Sequence, residues 1–536
     1  MNKNLFLSLF CIHALFAEHP VIENISIVSD EAMIQDQPSD EKMDIQVPCN
    51  QAYLEQVLSP FLGKEISEEN LQGLKDAVQD HFADNEDSFV RVRIPAQKVI
   101  AGRVTLVALP ATVEQVCVTG NCWFPTGWIK SKMNICPGDC VQETDLLNSV
   151  AWMNRNPFIH GNVILCKGNQ DNSTKIRIAV NDRLPFRVYA GTDNTGTHFT
   201  GNERFFTGIN ASIGLSAMVT YQFTSDYEFK KLLAHYANFT YFLPWMHEIS
   251  AYGGYATIRP NISNFESKGK DIQASLRYKI PFKPLYKQFQ HQFITGADFK
   301  QIDSSLFFIG ALSDGTISRL PVSTKTAQLF QILAAYQFQD VFCNTELDFK
   351  FETYMAPFKF LPDQTATAYQ TIRPGATTRY VYARAALGMT RNLPACFKMT
   401  ALLRGQLSSS SLLPSEQYRL GGYDTVRGYQ EGVYLADDAV IGNLEVHSPT
   451  WTFIDRCGWP KDSLYFLAFI DAAYGKNEDA SPAFPNNAYL VGIGPGVRYS
   501  LGPNLMARCD YGFRLHQTSF SNSQIGRFHF SLVAAY

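Results

Sequence analysis

The residue types in this chain that could do chemistry are an arginine in a glycine-rich loop, a carboxylate in an alternating strand, and a set of cysteines. Residues 409–438 contain Leu412-Leu413-Pro414-Ser415-Glu416-Gln417, then Leu420-Gly421-Gly422, then Val426-Arg427-Gly428-Tyr429. Gly421, Gly422 and Gly428 free the backbone to turn sharply, so a loop of this length can fold back on itself. Downstream, Leu464, Phe466, Ala468, Ile470 and Ala472 share one face of a period-two segment. Tyr465, Leu467, Phe469 and Asp471 share the other. The first face is wholly apolar, so Asp471 points away from whatever apolar medium that face meets. A guanidinium can grip such a carboxylate with two parallel hydrogen bonds. A structural arginine in a solvated loop is the other reading of Arg427.

Bond-making chemistry finds no support. The histidines are scattered, no Ser-His-Asp or metal motif has a context, and no nucleotide-binding loop is present. No cofactor and no metal are expected, and the chain does not read as an enzyme. Cys117 and Cys122, with Cys136 and Cys140, loosely resemble a zinc-ribbon spacing. Disulfides or free thiols fit them better, while Cys343, Cys396, Cys457 and Cys509 suggest no common site.

The elements that must position Arg427 and Asp471 are strands. The chain has 536 residues, too many for one ordinary domain. A formal net charge of −4 gives no basic face for nucleic acid. Mean hydropathy is −0.12, and no run reaches the length of a transmembrane helix. A membrane barrel escapes that test, because its apolar and polar residues alternate and cancel on average. Lys3, the apolar stretch Leu5–Phe16 and Ala17 read as a cleaved export signal over 1–17.

From Leu184 to the end the text runs in alternating segments of about ten residues, the length a tilted membrane strand needs. In 346–353, Leu347, Phe349, Phe351 and Thr353 alternate with Glu346, Asp348, Lys350 and Glu352. Sixteen such segments can be counted, near 186–194, 203–214, 217–225, 232–243, 247–258, 271–281, 291–301, 326–338, 342–353, 378–390, 397–408, 439–447, 464–475, 489–501, 504–516 and 527–536. Even-to-odd links are mostly short, and odd-to-even links such as 302–325, 354–377, 409–438 and 476–488 are long. This predicts a sixteen-stranded antiparallel membrane β-barrel over 184–536, with short turns on the periplasmic side. Phe528, Phe530, Leu532, Ala534 and Tyr536 share a face at the terminus and look like the signal read by outer-membrane assembly machinery.

Before the barrel, helical and strand periods alternate. Strands are expected at 25–28, 89–94, 103–109, 113–118, 162–166 and 175–180, with helices at 50–62, 67–82 and 143–153. Ser67 and Asn70, with Glu68 and Glu69, could start the second helix. The order β-α-α-β-β occurs twice and resembles the POTRA domain, giving units at 18–111 and 112–183. Residues 29–48, rich in Asp, Glu and Gln, are expected to be an inserted loop, and no plug helix is expected before the first unit. An open sheet edge can accept an extended peptide as an added strand, which suits a module that handles unfolded clients.

The loop motif closely resembles that between strands eleven and twelve of two-partner secretion transporters (TpsB-like, the haemolysin-activator and filamentous-haemagglutinin transporter type), and the strand count puts it in that loop. Asp193-Asn194-Thr195-Gly196 with Thr200-Gly201 and Arg204 resembles the family's first hairpin. Phe469-Ile470-Asp471 resembles its strand-thirteen motif, although Ala473 replaces the usual glycine. The resemblance implies that Arg427, with Val426, Gly428 and Tyr429, pairs with Asp471 beside Phe469 and holds the loop tip inside the barrel. It also implies an outer-membrane monomer that moves a large secreted β-rich exoprotein. Its partners would be that client, outer-membrane lipid, periplasmic chaperones and the assembly machinery, without nucleic acid. An insertase for outer-membrane proteins is the alternative, and a diffusion porin a third.

Overall fold

Two different hydrophobic periods build two units, one up to Arg183 and one from Leu184 onward. The computed structural model describes residues 20–34, 42–46, 51–84, 89–133, 135–141, 143–169, 172–197, 200–262, 265–282, 289–311, 317–454, 460–479, 485–519 and 524–536. The expected export signal, 1–17, lies outside them, and the expectation about a plug helix falls largely there too.

The N-terminal unit holds two small sheets. In the first, Glu68–Asp84 is a helix because Leu71, Leu74, Val78 and Phe82 recur at helical spacing. Ser67 Oγ accepts the Asn70 amide at 3.2 Å, satisfying one of the orphan donors of its first turn. Leu74, Val78 and Phe82 pack with Ile25, Ile27, Leu54 and Leu106. Each buried side chain of this kind contributes about 1.5–3 kcal/mol. Asn24–Val28 runs parallel to Arg103–Pro110, and Val90–Arg93 lies antiparallel beyond it. The stretch 29–48 is not only a loop. Met43–Gln46 pairs parallel with Asn24–Val28 as an extra edge strand. Its alternation spans only four residues among acidic neighbours, too short to stand out in the text.

The second sheet repeats the same plan. Thr112–Thr119 runs parallel to Ser173–Asp182, with Ile159–Lys167 antiparallel at the other side. Helices Thr126–Lys132 and Glu143–Met153 cover it through Ile129, Trp152 and Met153. Glu114 sits at a register shift in Thr112–Thr119, and its carboxylate takes the Asn169 amide at 2.6 Å. That hydrogen bond holds the carboxyl below its ordinary range. Cys117, Cys122, Cys136 and Cys140 are free thiols.

The second unit is a closed antiparallel barrel of sixteen strands. Numbered 1 to 16 they are Phe186–Asp193, Arg204–Ile213, Ala217–Asp226, Leu232–Phe242, Glu248–Ile258, Phe265–Pro281, Gln290–Ala311, Ile317–Phe342, Thr345–Ala356, Tyr380–Asn392, Lys398–Ser408, Asp438–His447, Asp462–Lys476, Asn487–Leu501, Leu505–Arg514 and Gly526–Ala535. Asn261–Ile262 continues the pairing of strand 5 with strand 6. Alternation sets the faces: on strand 13, Leu467, Phe469 and Asp471 are buried while Phe466, Ile470 and Tyr474 are exposed. Strands 6, 7 and 8 are longer than their alternation suggests. Residues 302–325, read as a long loop, instead extend a hairpin in which strand 7 runs to Ala311 and strand 8 resumes at Ile317. A register shift at Leu306/Phe307 breaks the period there and hides the continuation.

Strand 16 closes the barrel against strand 1 through five residue pairs, Ser531↔Asp193 to Ala535↔Tyr189. Beyond them the Asn194 side chain takes over. Its Nδ2 donates to Phe528 O at 2.6 Å, and its Oδ1 accepts from the Phe530 amide at 3.0 Å. One side-chain amide thus stands in for a missing peptide group of strand 1. Asn194→Ala should weaken this seam by about 1–3 kcal/mol, the cost of stranding buried backbone groups. The expected result is a lower temperature at which the folded barrel converts to the unfolded band on a heat-modifiability gel.

Candidate functional site: a loop held in the barrel lumen

The loop between strands 11 and 12 enters the lumen because its backbone can turn where side chains would forbid it. Gly421, Gly422 and Gly428 have φ of 91°, 112° and 98°, all in the left-handed region. At the tip, Arg427 Nε donates to Asp471 Oδ2 at 2.7 Å and Nη2 to Oδ1 at 2.8 Å. The Arg427 amide adds a third bond to Oδ2 at 3.0 Å. Nη1 reaches Glu445 of strand 12 at 2.6 Å, and Asp510 of strand 15 lies 3.7 Å away. The guanidinium plane covers the Phe469 ring at 3.5 Å from its centroid. Both partners are withdrawn from water, with Arg427 3% and Asp471 0% exposed. In that setting, removing one partner costs about 3–5 kcal/mol, because the other charge stays buried.

The wall around the pair is a second ionic layer. Asn443 bridges Asp471 Oδ1 to the Thr425 carbonyl, at 2.8 and 2.6 Å. Asp510 receives Arg498 at 2.6 and 3.1 Å and Arg508 at 2.8 Å. Arg508 stacks on Tyr423 of the loop at 3.6 Å. Glycines make room for the loop backbone. A Cβ on Gly492 of strand 14 would collide with the Arg427 carbonyl, and one on Gly512 of strand 15 with the Gly428 backbone.

A family model described as haemolysin secretion/activation protein ShlB/FhaC/HecB matches residues 172–499, well over half of the chain. The chain belongs to this family of two-partner secretion transporters.

Among relatives, this TpsB-family transporter is similar to the heme/hemopexin transporter protein HuxB of Haemophilus influenzae (strain 86-028NP). The two are 20% identical over 487 residues, which cover 83% of this chain and 78% of the relative. Its fold matches CdiB from Escherichia coli with a TM-score of 0.75 at 14% identity, covering 99% of this chain and 93% of the other. CdiB from Acinetobacter baumannii gives 0.65 at 13%, covering 96% and 90%. The transporter is therefore an outer-membrane barrel with its N-terminal POTRA-like domains in the periplasm. Its short turns face the periplasm and its long loops face outward.

The TpsB loop is fastened at three points along its length. On entry, Glu416 accepts from Lys300 at 2.7 Å, Tyr382 at 2.7 Å and Gln331 at 3.0 Å, residues of strands 7, 10 and 8. At the tip stands Arg427. On exit, Asp437 takes both ends of Arg373 at 2.6 and 2.7 Å, just after helix Ala366–Ile372. Val426 and Tyr429 are buried beside Leu420, Tyr434 and Leu490.

The other residues singled out from sequence lie elsewhere. Asp193 caps its own turn through Thr195, and Gly196 meets Asn202 across the hairpin that carries Thr200 and Gly201. Arg204 pairs with Asp193 across strands 1 and 2. Phe528, Phe530 and Leu532 lie on the outward face of strand 16, and Tyr536 follows its last residue. Sequence reasoning did not assign Glu416, Asp437, Glu445, Asp510 or the glycines at 492 and 512. Asp510 and Gly512 do share one face of the alternating segment 504–516 with Arg508 and Arg514, which is the sequence signal for those two.

Gly512→Val tests the seat without touching a charge. It should exclude the loop tip and raise single-channel conductance in planar bilayers, with the barrel still heat-modifiable.

Proposed function

We propose that this transporter captures an unfolded, β-rich exoprotein with its periplasmic domains and passes it through the barrel as the Arg427-held loop leaves the lumen. The observation that carries this reading is the loop itself. A polypeptide segment that is not part of the strand wall sits in the lumen, and its tip is held there by a buried ion pair and by glycine contacts.

The capture step is supported by an open sheet edge. Ile159–Lys167 is an edge strand of the second domain. Asn154 covers its Gly161 with two hydrogen bonds, at 2.8 and 3.0 Å, while Ile164 and Leu165 further along are exposed. An extended client could add a strand there through backbone hydrogen bonds, without needing one sequence. The heme/hemopexin transporter relative supports a transport role and leaves the client of this chain to be identified. The outer membrane offers no nucleotide energy, so net movement would come from the client folding outside.

Arg427→Ala should abolish export of the client while the barrel still inserts, read as client in the medium against heat-modifiable barrel in the membrane. Arg427→Lys, a point charge without the fork, should fall between. Normal export by an inserted Ala variant overturns the reading. Joint loss of many outer-membrane proteins on depletion would favour an insertase instead.

A second test addresses capture. Ile164→Asp with Leu165→Asp on the exposed edge should lower export and crosslinking of client to the periplasmic domains, with conductance unchanged. Undiminished crosslinking would place capture elsewhere.

A further inference from the structure

The Arg427 clamp leaves one contact of the loop tip unexplained. The Gly428 amide points at Nε2 of His529, 3.1 Å away on strand 16. No other acceptor meets that amide among the described residues. A donor facing Nε2 makes that atom the acceptor, so the ring carries its proton on Nδ1 and is neutral. His529 is fully buried, and its Nδ1 has no partner among the described residues. An unsatisfied buried N–H is unfavourable, and a leucine or phenylalanine would fill the same inward slot without it. The one satisfied polar atom of the ring is the acceptor turned toward the loop.

The rest of the Gly428 residue is held from the neighbouring strand. Its carbonyl accepts from Arg514 Nε on strand 15. With φ at 98°, the amide and carbonyl of Gly428 reach two different strands. Around the ring stand Arg427 of the loop, Arg508 and Asp510 of strand 15, and Arg527 of strand 16. Tyr423 of the loop packs edge-on at 6.4 Å. The flanking residues of strand 16, Phe528 and Phe530, are the ones whose backbones Asn194 binds at the seam. His529 therefore sits between the loop inside and the closure of the barrel.

We propose that His529 is a positioning residue for the lumen loop. It is a neutral hydrogen-bond acceptor that fixes the tip against the closing strand, so that the Arg427 fork meets Asp471. The inference rests on the reading of the loop as the element that closes the pore. It adds a residue that neither the loop motif nor its carboxylate partner includes.

Planar-bilayer recordings on the purified full-length protein test it, because they need no client. His529→Leu and the flatter His529→Phe remove the acceptor. Each should raise the frequency of large openings roughly tenfold, the factor that losing one ordinary hydrogen bond gives. His529→Gln keeps an acceptor oxygen at similar reach and should stay near wild type. Heat-modifiability checks that each barrel is folded, and two acceptor-free variants guard against one failing to assemble. Unchanged openings in a folded Leu or Phe variant overturn the proposal. So does a Gln variant as open as they are, since shape and not hydrogen bonding would then seat the loop. If Arg427→Ala exports client normally while these recordings behave as expected, the transport reading fails and the role of His529 stands.

Discussion

A guanidinium buried inside a membrane barrel is tolerable only if carboxylates meet it in the right plane, and much of the lumen wall is organised around that requirement. Asp471 supplies both oxygens to the fork and also receives the loop's own amide. Glu445 takes the remaining arm, and Phe469 presents a ring face to the cation. The three carboxylates near Arg427 come from strands 12, 13 and 15, so the pair can form only in a barrel whose strands are all in register. A slip of strand 13 by one residue would turn Asp471 toward lipid and leave the Arg427 fork without its two-oxygen partner.

Close approach is the second half of the same constraint. The fork reaches its partner because the Arg427-Gly428 backbone lies on Gly492 and Gly512, where a methyl group would keep it out. The loop then needs its own left-handed glycines to present the arginine at that depth. Charge and space are met by different residues on different strands, so neither alone would seat the tip.

The barrel was legible because each strand carries its own evidence. Period two is a local signal, and a wholly apolar face on strand 13 is enough to turn Asp471 inward. Loop lengths then fix the order of the strands and the short-turn end. What could not be read depends on partners far apart in the chain. Glu416 looks like one more acidic loop residue until Lys300, Gln331 and Tyr382 close around it. Gly492 and Gly512 look like weak strand residues, since what makes them necessary is a loop about 65 to 85 residues away. The tall hairpin of strands 7 and 8 was lost at its register shift, where period-two reading changes phase. Met43–Gln46 was lost because four residues are too few to show a period.

The ionic wall also bears on which ions the lumen would favour. With the loop seated, Arg427 neutralises a cluster to which Asp471, Glu445 and Asp510 contribute negative charge and Arg498 and Arg508 positive charge. Withdrawal of the loop, as proposed, would take one cation out of that cluster and leave Asp471 facing the lumen water. The movement proposed to widen the passage would therefore make that belt of the wall more negative. The pore would change its ion preference toward cations as it opens, and a shift in reversal potential would accompany the gain in conductance.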